Sequence, residues 1–95
     1  MEYLQPNETI LTGKWLTNGG GLHSDETCLR IDWLVTDVLK KIAVSKQWGA
    51  WEILFQDPKD GRYWEKVYPE SNMHGGGPPA LKMLSLEEAK IKYDF

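Results

Sequence analysis

The sequence predicts an α+β fold: a small antiparallel sheet of about four strands, one long helix packed on it and a short C-terminal helix. Three observations support this fold class. Apolar residues recur with a helical period after residue 26, two alternating segments flank a turn at Asp57–Gly61, and a helix-capping motif begins at Ser85. A chain of 95 residues is short, so we predict a single domain over residues 1–95.

The first strand is predicted from Ile10 to Thr17, where the apolar residues Leu11 and Trp15 alternate with polar neighbours. The glycines at positions 19 to 21 accept positive φ at little cost. They therefore suit a reversal into a second short strand near Leu22.

The main helix is predicted from Glu26 to Ala43, because apolar residues recur at three- and four-residue steps through this segment. Ser24 or Asp25 is expected to cap its N-terminus. Cys28 lies on the apolar side of this helix. It is the one cysteine of the chain and cannot form an internal disulfide, so we interpret it as a small buried residue.

Trp33 projects from the opposite side of the predicted helix, beside Glu26 and Asp37. Two interpretations are open. A second layer covers the indole, which is the favoured alternative, or the indole is exposed and ringed by charge, as interface hot spots often are.

Two paired strands are predicted from the segments AWEILFQ and RYWEKVY. Between them, Asp57 can bond the backbone ahead, Pro58 fixes φ and Gly61 suits a left-handed conformation. A stiff loop without strand or helix period is predicted to follow, up to about Leu81, and then a short helix from Ser85 to Tyr93.

Catalytic and metal-binding sites are not indicated by the residues that could form them. His23, Ser24 and Asp25 are adjacent, whereas the members of a catalytic triad converge from separate segments. His23, Cys28 and His74 match no paired-ligand zinc motif. We therefore predict no catalytic residue, no metal and no cofactor.

Glu52 and Glu65 fall on the two predicted hairpin strands and could approach each other, as the paired acids of a glycosidase do. Nothing in the sequence marks a substrate cleft around them. We expect them instead to pair with Arg62, Lys66 or Arg30.

The net charge of −3, from 11 basic and 14 acidic residues, argues against direct binding of nucleic acid and favours a basic protein partner. The same acidity also serves solubility, and both interpretations are open. The N-terminal sequence MEYLQPNETI lacks a signal-peptide pattern, and no window approaches the roughly 20 apolar residues of a membrane span. Together with the single cysteine, these features predict a cytoplasmic protein without membrane contact. The sequence carries no signal of oligomeric state.

The order of the motifs DETCLRIDWL, WEILFQDPKDGRYWEKVYP, HGGGPPAL and EEAKIKY resembles that of the immunity protein 27 family of bacterial polymorphic toxin systems. The resemblance covers about Leu11 to Tyr93. It implies a non-enzymatic cytoplasmic antitoxin that binds and neutralises a cognate toxin by stoichiometric contact. The positions of the recurrent motif with an expected structural role are Arg30, Gly61, Arg62, Glu65, Pro69, Gly75, Gly76, Gly77, Pro78 and Pro79.

The candidate toxin-binding residues are aromatic, histidine or acidic residues in segments expected to reach the surface. They are Trp33, Glu26, Asp37, Trp64, Tyr68 and His74. Acidic residues in this set would suit a nuclease toxin, because nucleases bind a polyanion. Two other functions are weighed beside this one: a small adaptor that binds a non-toxic protein, and a small hydrolase that uses His23 and His74.

Overall fold

The computed structural model describes residues 1–18, 21–70 and 77–95, and it has the predicted α+β class. Five strands form one antiparallel sheet in the order β1-β7-β6-β5-β4, while β2 and β3 form a separate two-stranded sheet. The strands are β1 (Ile10–Thr12), β2 (Trp15–Asn18), β3 (Gly21–Ser24), β4 (Lys40–Ser45), β5 (Gly49–Gln56), β6 (Tyr63–Val67) and β7 (Ala80–Leu84). The helices are α1 (Glu26–Trp33), which continues into a π-helical turn (Leu34–Val38), and α2 (Leu86–Lys92).

The main helix begins as predicted and ends earlier than predicted. Asp25 caps it, because its Oδ1 accepts the Cys28 N–H at 2.8 Å. The π-helical turn closes with the Leu39 N–H donating to the Leu34 carbonyl at 2.7 Å. The backbone of Leu39 is then extended, with φ −83 and ψ 148, so the predicted continuation of the helix to Ala43 is wrong.

The strand β4 replaces the last part of the predicted helix. Ile42 continues the three- and four-residue spacing of the helix, and this coincidence concealed the strand. The same segment also fits the period of a strand, since the β-branched residues Ile42 and Val44 alternate with Lys41, Ala43 and Ser45.

Two further strand predictions need correction. The predicted first strand is divided at residues 13 and 14 into β1, which joins the large sheet, and β2, which pairs with β3. The strand β7 was predicted as loop up to Leu81. Its five residues follow Pro78 and Pro79 directly, and so short a segment shows little periodicity in the sequence.

The hairpin β5–β6 and its turn are confirmed. Gln56 pairs with Tyr63 across the strands. Asp57 Oδ1 accepts the Lys59 N–H at 2.9 Å, and the Asp57 carbonyl accepts the Gly61 N–H at 2.8 Å. Gly61 has φ 79, the left-handed conformation expected for it.

The large sheet has a core on each face. The face toward α1 buries a large cluster that includes Trp64, fully buried at 0% exposure, so the expectation that Trp64 reaches the surface is wrong. The members of this cluster are Leu4, Leu11, Ile31, Leu34, Leu39, Phe55, Trp64 and Leu81. The opposite face packs against α2 through Leu54, Leu84, Ala89 and Tyr93.

Cys28 is buried at 6% exposure, as predicted for a small apolar residue. The predicted capping box of α2 is confirmed, with Ser85 Oγ accepting the Glu88 N–H at 3.1 Å and Glu88 Oε1 accepting the Ser85 N–H at 3.0 Å. Within the described ranges, no helix has the length and apolar character that crossing a membrane requires.

Two arginines attach the N-terminal segment to the domain. Arg30 binds both carboxylate oxygens of Glu8, at 2.7 and 2.8 Å, and also donates to the Glu2 and Tyr3 carbonyls. Arg62 donates to the main-chain carbonyls of residues 5 and 8. The hydrogen bonds from Arg30 lower the pKa of the Glu8 carboxyl to about 2, so this pair stays ionised well into acid.

The loop that precedes β7 has a close backbone contact at Gly77. This residue has φ 74, and a Cβ atom placed on it would lie 2.5 Å from the Glu70 carbonyl oxygen. Both the conformation and the contact therefore require glycine. Gly75 and Gly76 lie outside the described residues, as does the predicted reversal at residues 19 and 20.

We predict that Gly77→Ala lowers the free energy of unfolding by about 2 to 4 kcal/mol, because it adds a clash with the backbone to the strain of a left-handed alanine. Gly61→Ala is the matched control. It has nearly the same φ, but nothing lies within 4 Å of its added Cβ, and we expect a loss of about 1 kcal/mol. Urea denaturation measures both, and equal losses would show that the Glu70 contact contributes nothing.

The Glu8–Arg30 pair predicts a specific dependence of stability on pH. The folded-state pKa of Glu8, about 2, lies below its ordinary value of 4.5. The stabilisation is therefore complete above pH 4.5 and is lost as the pH falls toward 2. The free energy of unfolding of the wild type should exceed that of Glu8→Gln by about 2 kcal/mol at pH 7. This difference should shrink as the pH falls across this window. The exposed Glu87→Gln on α2 serves as control, and a pH-independent difference for Glu8→Gln would contradict the ion-pair account.

Candidate binding site

A cavity of about 750 Å³ lies on the sheet face opposite α1. The register places Ile10, Lys82, Glu65 and Leu54 in one row across four strands, and Leu54 belongs to the cluster under α2. Since side chains alternate between the faces of a sheet, this row faces α2 and not α1. The seven-residue helix α2 covers one end of this face and leaves the cavity open at the other end.

The wall of the cavity is apolar and largely aromatic. Trp48 is 57% exposed and Trp51 is 54% exposed, which is unusual for side chains of this size. The Trp51 and Tyr68 rings meet edge to face, with centroids 5.2 Å apart. Together with Ile10 and Val67 they form the side of what we call the aromatic cavity.

The turn between β4 and β5 positions both tryptophans. The buried hydroxyl of Ser45 accepts the N–H groups of Gln47 and Trp48, at 3.2 and 3.1 Å. The Trp51 N–H then donates to the Trp48 carbonyl at 3.2 Å. These bonds fix the backbone at the point where the two indoles meet solvent.

The floor of the aromatic cavity is an ionic network around Glu65, which is only 2% exposed. Lys92 Nζ lies 2.7 Å from Glu52 Oε2 and 2.9 Å from Glu65 Oε2. The Tyr93 hydroxyl donates to Glu65 Oε2 at 2.9 Å, and Lys82 Nζ lies 3.7 Å from Glu65 Oε1. The buried carboxylate therefore has a charged and a neutral partner on Oε2, and a second ammonium group near Oε1.

The network stabilises the protonated forms of Lys92 and Tyr93. Burial alone would lower the pKa of Lys92, but its hydrogen bonds to Glu52 and Glu65 outweigh burial and raise that pKa. Burial raises the pKa of Tyr93, and its hydrogen bond to Glu65 raises it further. At neutral pH the ammonium is charged and the phenol is protonated.

The observed ionic partners differ from the predicted ones. Glu52 and Glu65 do come together, because both bind Lys92. They were expected to pair with arginine or with Lys66 from their own region. Arg62 instead binds Asp60 and the N-terminal segment.

Of the predicted toxin-binding residues, Tyr68 lines the aromatic cavity. Trp33 is half-buried, packs against the core and meets the ring of Tyr3 at 5.4 Å. This supports the interpretation in which a second layer, here the N-terminal segment, covers the indole. Glu26 and Asp37 are exposed on the α1 side of the sheet.

The two remaining candidates do not contribute to the aromatic cavity as it is described. Trp64 is part of the core, and His74 lies outside the described residues. Sequence reasoning missed Trp48, Trp51, Lys82 and Lys92. A turn between two β-strands would have drawn attention to Trp48, but the predicted helix extended over β4, so that turn was not recognised.

Within residues 1–18, 21–70 and 77–95, no group of three histidine, cysteine, aspartate or glutamate side chains could hold a metal ion. An apolar wall above a neutralised ionic floor suits the binding of another surface.

Fold and cavity together define a small α+β domain with an exposed aromatic site on one face of its sheet. The family model described as Immunity protein 27 matches residues 17–85, more than half of the chain, and the protein belongs to this family. The resemblance noted in the sequence is thereby confirmed. The match includes Trp48, Trp51 and Tyr68, whereas Lys92 lies beyond it. Comparisons with curated proteins and with solved structures gave no significant match.

We predict that Lys92→Met lowers the free energy of unfolding by about 2 to 3 kcal/mol, because it removes the shared partner of two carboxylates, one of them buried. Lys90→Met is the matched control: the same substitution at an exposed position of the same helix, with an expected change below about 0.5 kcal/mol. Chemical denaturation at pH 7 measures both. Equal stabilities of the two variants would show that the Lys92 ion pairs add no net stability.

Proposed function

We propose that this immunity-family protein binds and neutralises a cognate bacterial toxin by stoichiometric contact, and that the aromatic cavity is the centre of the toxin-binding surface. The observation that carries the proposal is the exposure of Trp48 and Trp51 beside Tyr68 at the cavity mouth. Tryptophan and tyrosine are the residues that most often dominate the energy of protein interfaces. A toxin surface of standard size would bury about 800 Å² on each partner.

The ionic floor supports inhibition by binding and not by catalysis. A carboxyl group that acts as a general acid or base must be able to exchange a proton with a substrate. Glu65 is buried and held by Lys92, Tyr93 and Lys82, while Glu52 is held by Lys92. The proposal is therefore a non-enzymatic inhibitor.

The toxin-binding surface has a second candidate on the other side of the molecule. Glu26 and Asp37 are exposed on the α1 side, so they cannot contact the same small patch as the aromatic cavity. We favour the aromatic cavity, because exposed charges at a rim contribute less binding energy than aromatic side chains in a concave site.

The site of action and the toxin class are part of the proposal. The protein would act in the cytoplasm of the producing cell and its siblings, against a toxin of a polymorphic system used in bacterial competition. Its net charge of −3 favours a toxin with a basic surface. A nuclease is one class with such a surface, because it binds a polyanionic substrate.

We predict that Trp48→Ala or Trp51→Ala weakens toxin binding by at least about 2 kcal/mol, roughly 30-fold. The partner in the measurement is the catalytically inactive toxin domain encoded beside this gene, with titration calorimetry for affinity and growth rescue for neutralisation. Ile91→Ala is the control, since Ile91 is an 88% exposed apolar residue of α2 outside the cavity.

A double variant, Glu26→Gln with Asp37→Asn, tests the alternative surface. If it abolishes binding while both tryptophan variants bind normally, the toxin-binding surface lies on α1. A neighbour-encoded partner that binds but is not toxic would instead support the adaptor function and contradict the proposal.

A further inference from the structure

We propose that the aromatic cavity receives an acidic side chain of the toxin, held by the ammonium groups of Lys82 and Lys92 and flanked by apolar toxin residues against Trp48 and Trp51. This inference rests on the proposed function and specifies the chemistry of the contact at its centre. Its basis is the unequal exposure of positive and negative groups in the cavity.

In the floor of the cavity, the positively charged side chains are more exposed than the negatively charged ones. The side chains of Lys82 and Lys92 are 51% and 35% exposed. The side chains of their partners Glu52 and Glu65 are only 19% and 3% exposed. The net charge of these four groups is zero, but the lysine side chains are more exposed than the carboxylates. An approaching group therefore meets the lysine side chains first.

The two lysines of the floor also have hydrogen-bond donors that are not used within the protein. An ammonium group has three N–H donors, and Lys92 uses two of them on Glu52 and Glu65. The contact of Lys82 with Glu65, at 3.7 Å, is an ion pair longer than a hydrogen bond. Donors thus remain on both lysines for a further acceptor.

The carboxylate oxygens of Glu52 and Glu65, in contrast, are not accessible to a hydrogen-bond donor of the toxin. One oxygen of each carboxylate is bonded to Lys92, and the other oxygen of Glu52 is buried without a hydrogen-bond partner in the described structure. A basic side chain of the toxin would meet two ammonium groups and no accessible carboxylate oxygen. A toxin aspartate or glutamate would find donors, and the aromatic wall would exclude water from the new ion pair.

An acidic contact at the centre is compatible with a toxin that is basic elsewhere. Outside the cavity, the net charge of the immunity protein still attracts a basic surface over long range. The buried contact then selects among toxins. A neutral toxin residue at that position leaves the lysines without a partner, and a basic one repels them.

The test reverses the charge of the more exposed lysine. Affinity for the inactive toxin domain encoded beside this gene is measured by calorimetry for Lys82→Glu and for Lys90→Glu. Both variants change the net charge equally, but Lys90 lies outside the cavity. We expect Lys82→Glu to weaken binding at least about 30-fold and Lys90→Glu less than about threefold. Lys82→Met, which avoids a repulsive contact with Glu65, is the second cavity variant and should weaken binding about tenfold.

Rescue identifies the partner residue. Each surface aspartate and glutamate of the toxin domain is replaced by lysine, and one of these variants should restore binding to Lys82→Glu while binding wild type poorly. Melting temperatures confirm that Lys82→Glu and Lys82→Met are folded.

The possible failures are distinguishable. If the wild-type protein does not bind the neighbour-encoded domain, the proposed function fails. If wild type binds and the tryptophan variants do not, but Lys82→Glu binds normally or more tightly, the function stands and the acidic contact is wrong. If no acidic residue of the toxin rescues Lys82→Glu, the contact is likewise not a toxin carboxylate.

Discussion

The carboxylate of Glu65 lies near the centre of the large sheet, on β6, where it is almost completely buried. An unpaired charge in such a place would oppose folding by several kcal/mol. Lys92 and Tyr93 supply the partners, and both come from the end of the chain. The position of α2 on the sheet thus depends on this ionic contact as well as on apolar packing by Ala89 and Tyr93. The aromatic cavity lies on the same sheet face, beside the part that α2 covers.

The same network gives the cavity its chemical character. Buried carboxylates beneath partly exposed ammonium groups make a floor that is neutral in total and polarised toward solvent. Trp48 and Trp51 lie in and just after a turn with its own hydrogen bonds, which fix the backbone that carries the two indoles. Binding therefore costs little backbone conformational entropy at this site.

Local sequence signals predicted the parts of the fold that local chemistry decides. The turn at Asp57 and Gly61, the cap at Asp25 and the capping box at Ser85 each depend on residues within a few positions of one another. The strands β4 and β7 depend on pairing with distant segments, and their short sequences suit more than one structure. The aromatic cavity could not be predicted, because it needs the strand register, the early end of α1 and the docking of α2 together. Of its aromatic residues, Tyr68 alone was named as a binding candidate from the sequence.

The attachment of the N-terminal segment by Arg30 and Arg62 has a consequence for how freely that segment can change. Apart from the ion pair of Arg30 with the Glu8 carboxylate, the bonds from the two guanidinium groups to this segment go to the main-chain carbonyl oxygens of residues 2, 3, 5 and 8. Every residue type offers such an oxygen, so these bonds recognise the path of the chain and not the identity of its side chains. The segment lies outside the span matched by the family. Its course over the domain can therefore be retained when residues other than Tyr3, Leu4 and Glu8, whose side chains contact the domain, are substituted.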